Sequence, residues 1–107
     1  MNIVWDDDAK ARLKEIVLYG VDNWGLKVAK AFYENIINIE ERLTNNPGIG
    51  HPEPLLANRT FEYRAVIIQK NFKLIYRVDH EKEIILIADL WDTRREPRKL
   101  AKRVKNQ

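Results

Sequence analysis

Phe72-Lys73-Leu74-Ile75-Tyr76-Arg77-Val78, Asp79-His80-Glu81-Lys82, and Glu83-Ile84-Ile85-Leu86-Ile87-Ala88-Asp89-Leu90-Trp91 decide the fold. The two outer runs are rich in β-branched and aromatic residues and are bounded by polar turn residues. That composition predicts two strands, and a four-residue connection makes them antiparallel. A third strand is predicted upstream, from Arg64 to Gln69, with a tight turn at Lys70-Asn71.

Working back toward the N-terminus, residues 47–60 hold three prolines and two glycines and read as a long loop. Before it, Ala29, Phe32, Tyr33, Ile36, Ile39 and Leu43 recur at helical spacing, predicting a helix from about Leu26 to Asn45. Asn45-Asn46-Pro47-Gly48 ends it. Ala9, Leu13, Ile16 and Val17 predict an earlier helix, about Asp7 to Asn23, broken at Trp24-Gly25. Asp6-Asp7-Asp8 suits the positive end of that helix better than a metal site. Asn2 to Trp5 reads as a short strand. Past Trp91, Pro97 suits a helix first turn, and Leu100, Ala101 and Val104 predict a short final helix.

The expected fold is therefore α+β. A short N-terminal strand and an antiparallel helical hairpin pack on a mainly antiparallel sheet of three to four strands, closed by a short C-terminal helix. Residues 1–107 form one domain. The helices are expected on one sheet face only.

Side-chain alternation puts Phe72, Leu74, Tyr76 and Val78 on the core face. Lys73, Ile75 and Arg77 then lie on an uncovered face. A turn centred near Lys70-Asn71 would bring Arg64 to that face as well. A slip of one residue would reverse the assignment.

Charge points the same way. Residues 1–58 hold 6 Lys/Arg and 9 Asp/Glu, net −3; residues 59–107 hold 13 and 7, net +6; the whole is +3. A polyanion or an acidic partner is the expected ligand of the basic half. Among its cations are Arg64, Lys70, Lys73 and Arg77 of the sheet, Arg94 and Arg95 at the exit, and Arg98, Lys99, Lys102, Arg103 and Lys105 of the tail. Trp91 stands beside the exit.

Other function classes are disfavoured. The chain has no cysteine, which excludes disulfides and thiolate chemistry. Its longest apolar runs, such as Ala65-Val66-Ile67-Ile68, are far too short for a membrane span, and the N-terminus does not read as a signal peptide. A cytoplasmic location is the default expectation. His51 and His80 sit in loops and read as solvated residues. No phosphate loop, dinucleotide fingerprint, zinc spacing or Ser-His-Asp signature is present, so no cofactor or metal is expected.

Asn71-Phe72-Lys73-Leu74-Ile75-Tyr76-Arg77-Val78 followed by Leu90-Trp91-Asp92-Thr93-Arg94-Arg95-Glu96-Pro97 resembles the RelE/ParE superfamily of toxins from bacterial toxin–antitoxin pairs. Trp24-Gly25, Asn46-Pro47-Gly48-Ile49-Gly50 and Tyr63-Arg64 support the resemblance, which covers nearly the whole chain in order. It implies a growth-inhibiting toxin, of the plasmid-stabilisation type, neutralised by a cognate antitoxin. RelE-like members cut mRNA on the ribosome; ParE-like members poison DNA gyrase. An inactive member serving only as an antitoxin-binding module is the alternative.

Carried over residue by residue, the resemblance implies Arg64, Lys73 and Arg94 as candidate catalytic residues of an endoribonuclease. Arg64 stands where RelE-like toxins place a sheet lysine, and Lys73 where they place an arginine. Arg94 or Arg95 falls near a further catalytic arginine, while Val66 replaces a basic residue. Arg77, Lys70, Arg95, Trp91 and Arg98 are the candidate target-binding set. No Tyr or His follows Asp92, so the usual acid–base partner is missing. Replacing Arg64 and Lys73 together is expected to reduce toxicity more than thermal stability.

Overall fold

A computed structural model describes residues 1–69 and 71–104. The order is β1 (Asn2–Trp5), α1 (Asp7–Asn23), α2 (Leu26–Asn45), β2 (His51–Pro52), a 3-10 turn (Pro54–Leu56), β3 (Arg64–Ile68), β4 (Phe72–Asp79), β5 (Ile84–Asp92) and α3 (Arg98–Arg103). The strands form one five-stranded sheet in the order β1-β5-β4-β3-β2. β1 runs parallel to β5, and the other pairs are antiparallel. The sheet thus has one strand more than expected: His51–Pro52, inside the long loop, pairs with Arg64 and Ala65. Two residues, one of them a proline, carry no alternation to read.

Both long helices have the expected bounds. Asp6 is the N-cap residue of α1, without a side-chain cap bond; Asp7 and Asp8 place negative charge in its first turn. Gly25 joins the helices at φ 94°, a left-handed backbone that glycine adopts without strain. Phe32, Ile36, Ile39 and Leu43 of α2 are buried against Phe72, Leu74 and Tyr76 of β4 and Ile85, Ile87 and Leu90 of β5. Tyr33, expected within the α2 stripe, is exposed.

The opposite sheet face is covered as well, contrary to expectation. Leu56, Tyr63, Ile75, Trp91, Leu100 and Val104 form a second apolar cluster there. The loop after α2 and the C-terminal helix supply this cover. Ile75, too apolar to face water, is its centre. A bulge in β5 leaves Ala88 unpaired between Asp89, opposite Ile75, and Ile87, opposite Tyr76.

A cationic, aromatic-lined cleft as the candidate functional site

The expected cluster of Arg64, Lys73 and Arg77 on one face does not form. In β3–β4 the register pairs Arg64 with Tyr76, Val66 with Leu74 and Ile68 with Phe72. Directly opposed residues share a face. Val66 and Ile68 pack into the helix-side core and carry Arg64 to that side. Lys73 pairs with Ile67 and Trp91 on the other side.

Each of these cations has a local partner. Arg64 donates through Nη1 to the Gly50 carbonyl at 2.6 Å and lies 2.9 Å from Glu62. Lys73 donates to Glu53, whose side chain is 1% exposed. Glu53 Oε2 also accepts from the Leu55 N–H at 3.0 Å, capping the 3-10 turn. Arg77 is 7% exposed, with its guanidinium 4.0 Å from the centre of the Phe61 ring. Trp91 is 2% exposed, under Arg103 at 4.9 Å. Arg98 pairs with Glu96 at 3.1 Å on the surface. Lys70 and the tail Lys105 lie outside the described residues.

Arg94 and Arg95 do reach a concavity. A cleft of about 450 Å³ opens between α1 and the corner joining β5 to α3. Arg12, Glu15, Ile16 and Tyr19 line it from α1, at the 3–4-residue spacing that shares a helix face. Trp24 and Phe72 form its apolar part, and Asp92, Arg94, Arg95 and Arg103 close the far side. Trp24 is held by ring contacts with Tyr19 at 6.0 Å, Phe32 at 6.0 Å and Phe72 at 6.3 Å. Thr93 ties the exit of β5 to the β3–β4 turn, donating from its backbone N–H to the Asn71 carbonyl at 2.7 Å.

Beside this cleft lies Asp89, 3% exposed. Arg103 Nη2 donates to its Oδ1 at 2.6 Å, and Arg12 Nε is 3.9 Å from the same oxygen. Burial pulls Arg103 below the usual guanidinium range; Asp89 opposes this, and Arg12 and Arg95 add to it. Arg94 grips Asp92 with Nε on Oδ1 at 3.0 Å and Nη2 on Oδ2 at 2.9 Å. That grip, chiefly, holds the Asp92 carboxyl below its ordinary range.

Arg12 and Tyr19 are cleft residues that site reasoning from sequence misses, whereas Arg103 is read there only as one of the tail cations. A charge at Arg12 directly before core residue Leu13, with Tyr19 seven residues on, was the available signal. Asp92, held below its ordinary range, is a poor match for a base titrating near neutrality. Among the described residues, no group of three His, Cys, Asp or Glu side chains is arranged to hold a metal. No described helix is long and apolar enough to cross a membrane.

Comparison with known proteins agrees with the fold and its order. A solved structure of the chromosomal ParDE TA system from P. aeruginosa superposes with a TM-score of 0.68 over 86% of this chain and 95% of that one, at 20% identity. Likeness at that identity concerns the fold. No curated protein matches the chain significantly in sequence. Residues 3–97 match the family described as ParE toxin of type II toxin-antitoxin system, parDE. The chain belongs to this ParE toxin family.

Proposed function

We propose that this toxin acts by binding a protein target, DNA gyrase, and not by cutting mRNA. One observation carries the reading: Arg64, Lys73 and Arg94 lie apart, and each is engaged by its own carboxylate. Stabilising a phosphorane needs donors converging on one point. Three cations on two sheet faces and at a chain exit do not converge. Arg64 and Lys73 hold loops in this reading, while Arg94 and Arg95 belong to the target-binding cleft.

A ParD-type antitoxin, encoded as the partner of a parDE pair, would neutralise the toxin. Exposed Leu18, Val21, Leu26, Val28, Tyr33 and Ile37 on the helical hairpin support such a partner. A groove of about 430 Å³, lined by Leu13, Val17, Leu18 and Tyr33 with Trp5, suits its apolar segment.

Two assays run side by side test the reading. Purified protein is expected to inhibit supercoiling by gyrase or to trap its cleavage complex. Mapping of mRNA 5′ ends after induction is expected to show no new codon-associated cuts. Cuts appearing with growth arrest, and gyrase left untouched, would reverse the assignment.

A further inference from the structure

We propose that the cleft between α1 and the β5–α3 corner is a carboxylate acceptor, built to take one acidic side chain of a protein partner. It rests on the protein-binding reading above and names the chemistry of that contact.

Charge stoichiometry is the first argument. Arg12 and Arg103 share a single carboxylate, Asp89. The Nε atoms of both arginines are buried without a hydrogen-bond partner. Asp92 is taken up by Arg94. Arg95 stands exposed at the rim, and among the described residues it has no carboxylate of its own. Counting the lining groups with Asp89, four arginines face three carboxylates, Glu15, Asp92 and Asp89, which leaves one positive charge over. A monoanion restores balance. A planar carboxylate also matches the guanidinium fork.

The second argument separates a carboxylate from a nucleic acid. A phosphate backbone brings successive charges, and here the second would meet Glu15 or Asp92. Trp24 and Phe72 are engaged with each other and with Phe32. Tyr19 is the exposed ring, and it suits an apolar neighbour of the incoming acid.

Titration by NMR tests this, with benzoate as the probe, benzamide as its neutral twin, and AMP as the nucleic-acid surrogate. Benzoate is expected to shift the Trp24 indole and arginine Nε–H signals saturably. Benzamide is expected to leave them in place. Arg95→Gln is expected to weaken benzoate about tenfold, the loss of one charge-assisted contact. Arg12→Gln is expected to act likewise; should it misfold, Arg95→Gln at the exposed rim carries the test. AMP binding tighter than benzoate would overturn the proposal in favour of nucleic acid. No saturable shift, or shifts indifferent to Arg95→Gln, would overturn it outright. The titration involves no gyrase, so an inert gyrase assay removes the target assignment alone.

Discussion

Arg64 and Tyr76 face each other across β3 and β4 and close on the same residue, Gly50. Arg64 donates to the Gly50 carbonyl at 2.6 Å, and the Gly50 N–H donates to the Tyr76 hydroxyl at 2.9 Å. The hydroxyl donates in turn to the Pro47 carbonyl at 2.7 Å. The turn after α2 is thereby fastened to the middle of the sheet, and the first strand of the loop, β2, starts in register. A Cβ at Gly50 would sit 2.7 Å from that hydroxyl and 2.9 Å from the Ala65 carbonyl, so the fastening needs glycine.

Tyr76→Phe is accordingly expected to destabilise the fold by about 1–3 kcal/mol, because it leaves a buried Gly50 N–H without an acceptor and a Pro47 carbonyl without its donor. Urea unfolding measures it. A change within about 0.5 kcal/mol, the range of neutral surface substitutions, would mean that water replaces the hydroxyl.

The same phenol sets a pH dependence at the alkaline end. Burial pushes Tyr76 above the ordinary phenol value of 10.0, while the Gly50 N–H and Arg64 pull the other way. A raised pKa means the folded state holds its proton more tightly than the unfolded chain. That contribution is complete below pH 10 and is lost as pH climbs through and beyond it. Wild type is therefore expected to lose stability between pH 9 and 11 faster than Tyr76→Phe, read as the urea midpoint at each pH.

The apolar stripe from Ala29 to Leu43 made the second helix legible, and β-branched and aromatic runs bounded by turn residues did the same for the three long strands. The sheet face was misassigned for Arg64, since a strand's alternation says which residues share a face and not which face it is. Val66 and Ile68 contained the answer: two apolar residues in step with Arg64 had to join the helix-side core. Covering of the second face was illegible for a different reason. It depends on Leu56 and Tyr63 from an aperiodic loop, on Leu100 from the six-residue α3 and on Val104 at its C-cap, which meet around Ile75 only in three dimensions. In the cleft, Arg94 and Arg95 were visible as a charged exit, whereas Arg12 looked like any solvated helix cation.

Lys73 and Glu53 make a second structural prediction. Removing a partner from a buried pair leaves the other charge uncompensated, a loss of about 3–5 kcal/mol. Lys73 is 22% exposed, so Lys73→Met is expected near the low end. Adding Glu53→Gln is expected to recover part of the loss, since the orphaned charge goes. A double-mutant cycle by thermal unfolding checks it. Together with Tyr76→Phe this reverses the simple expectation for the Arg64 and Lys73 pair: stability should fall before toxicity is reached.

Gly20 offers a test of the cleft's shape without touching its charge. Helix propensity alone favours Gly20→Ala by about 1 kcal/mol. Against that, the new Cβ would lie 2.6 Å from Trp24 Cε3 and 2.8 Å from Cζ3, well inside contact distance. Forcing a methyl against a ring packed on Phe32 and Phe72 costs about 1–3 kcal/mol, so overpacking wins and the net effect is destabilising. Trp24 must shift, and with it the wall facing Arg94. Gly20→Ala is thus expected to alter the tryptophan emission, lower the unfolding midpoint, and weaken target inhibition while all four cleft arginines remain. Gly48→Ala is the control, because its nearest neighbour, Asn46 Oδ1, is 3.7 Å away and no positive φ restricts it. Equal behaviour of the two variants would show that Trp24 accommodates the methyl and that the cleft does not depend on its position.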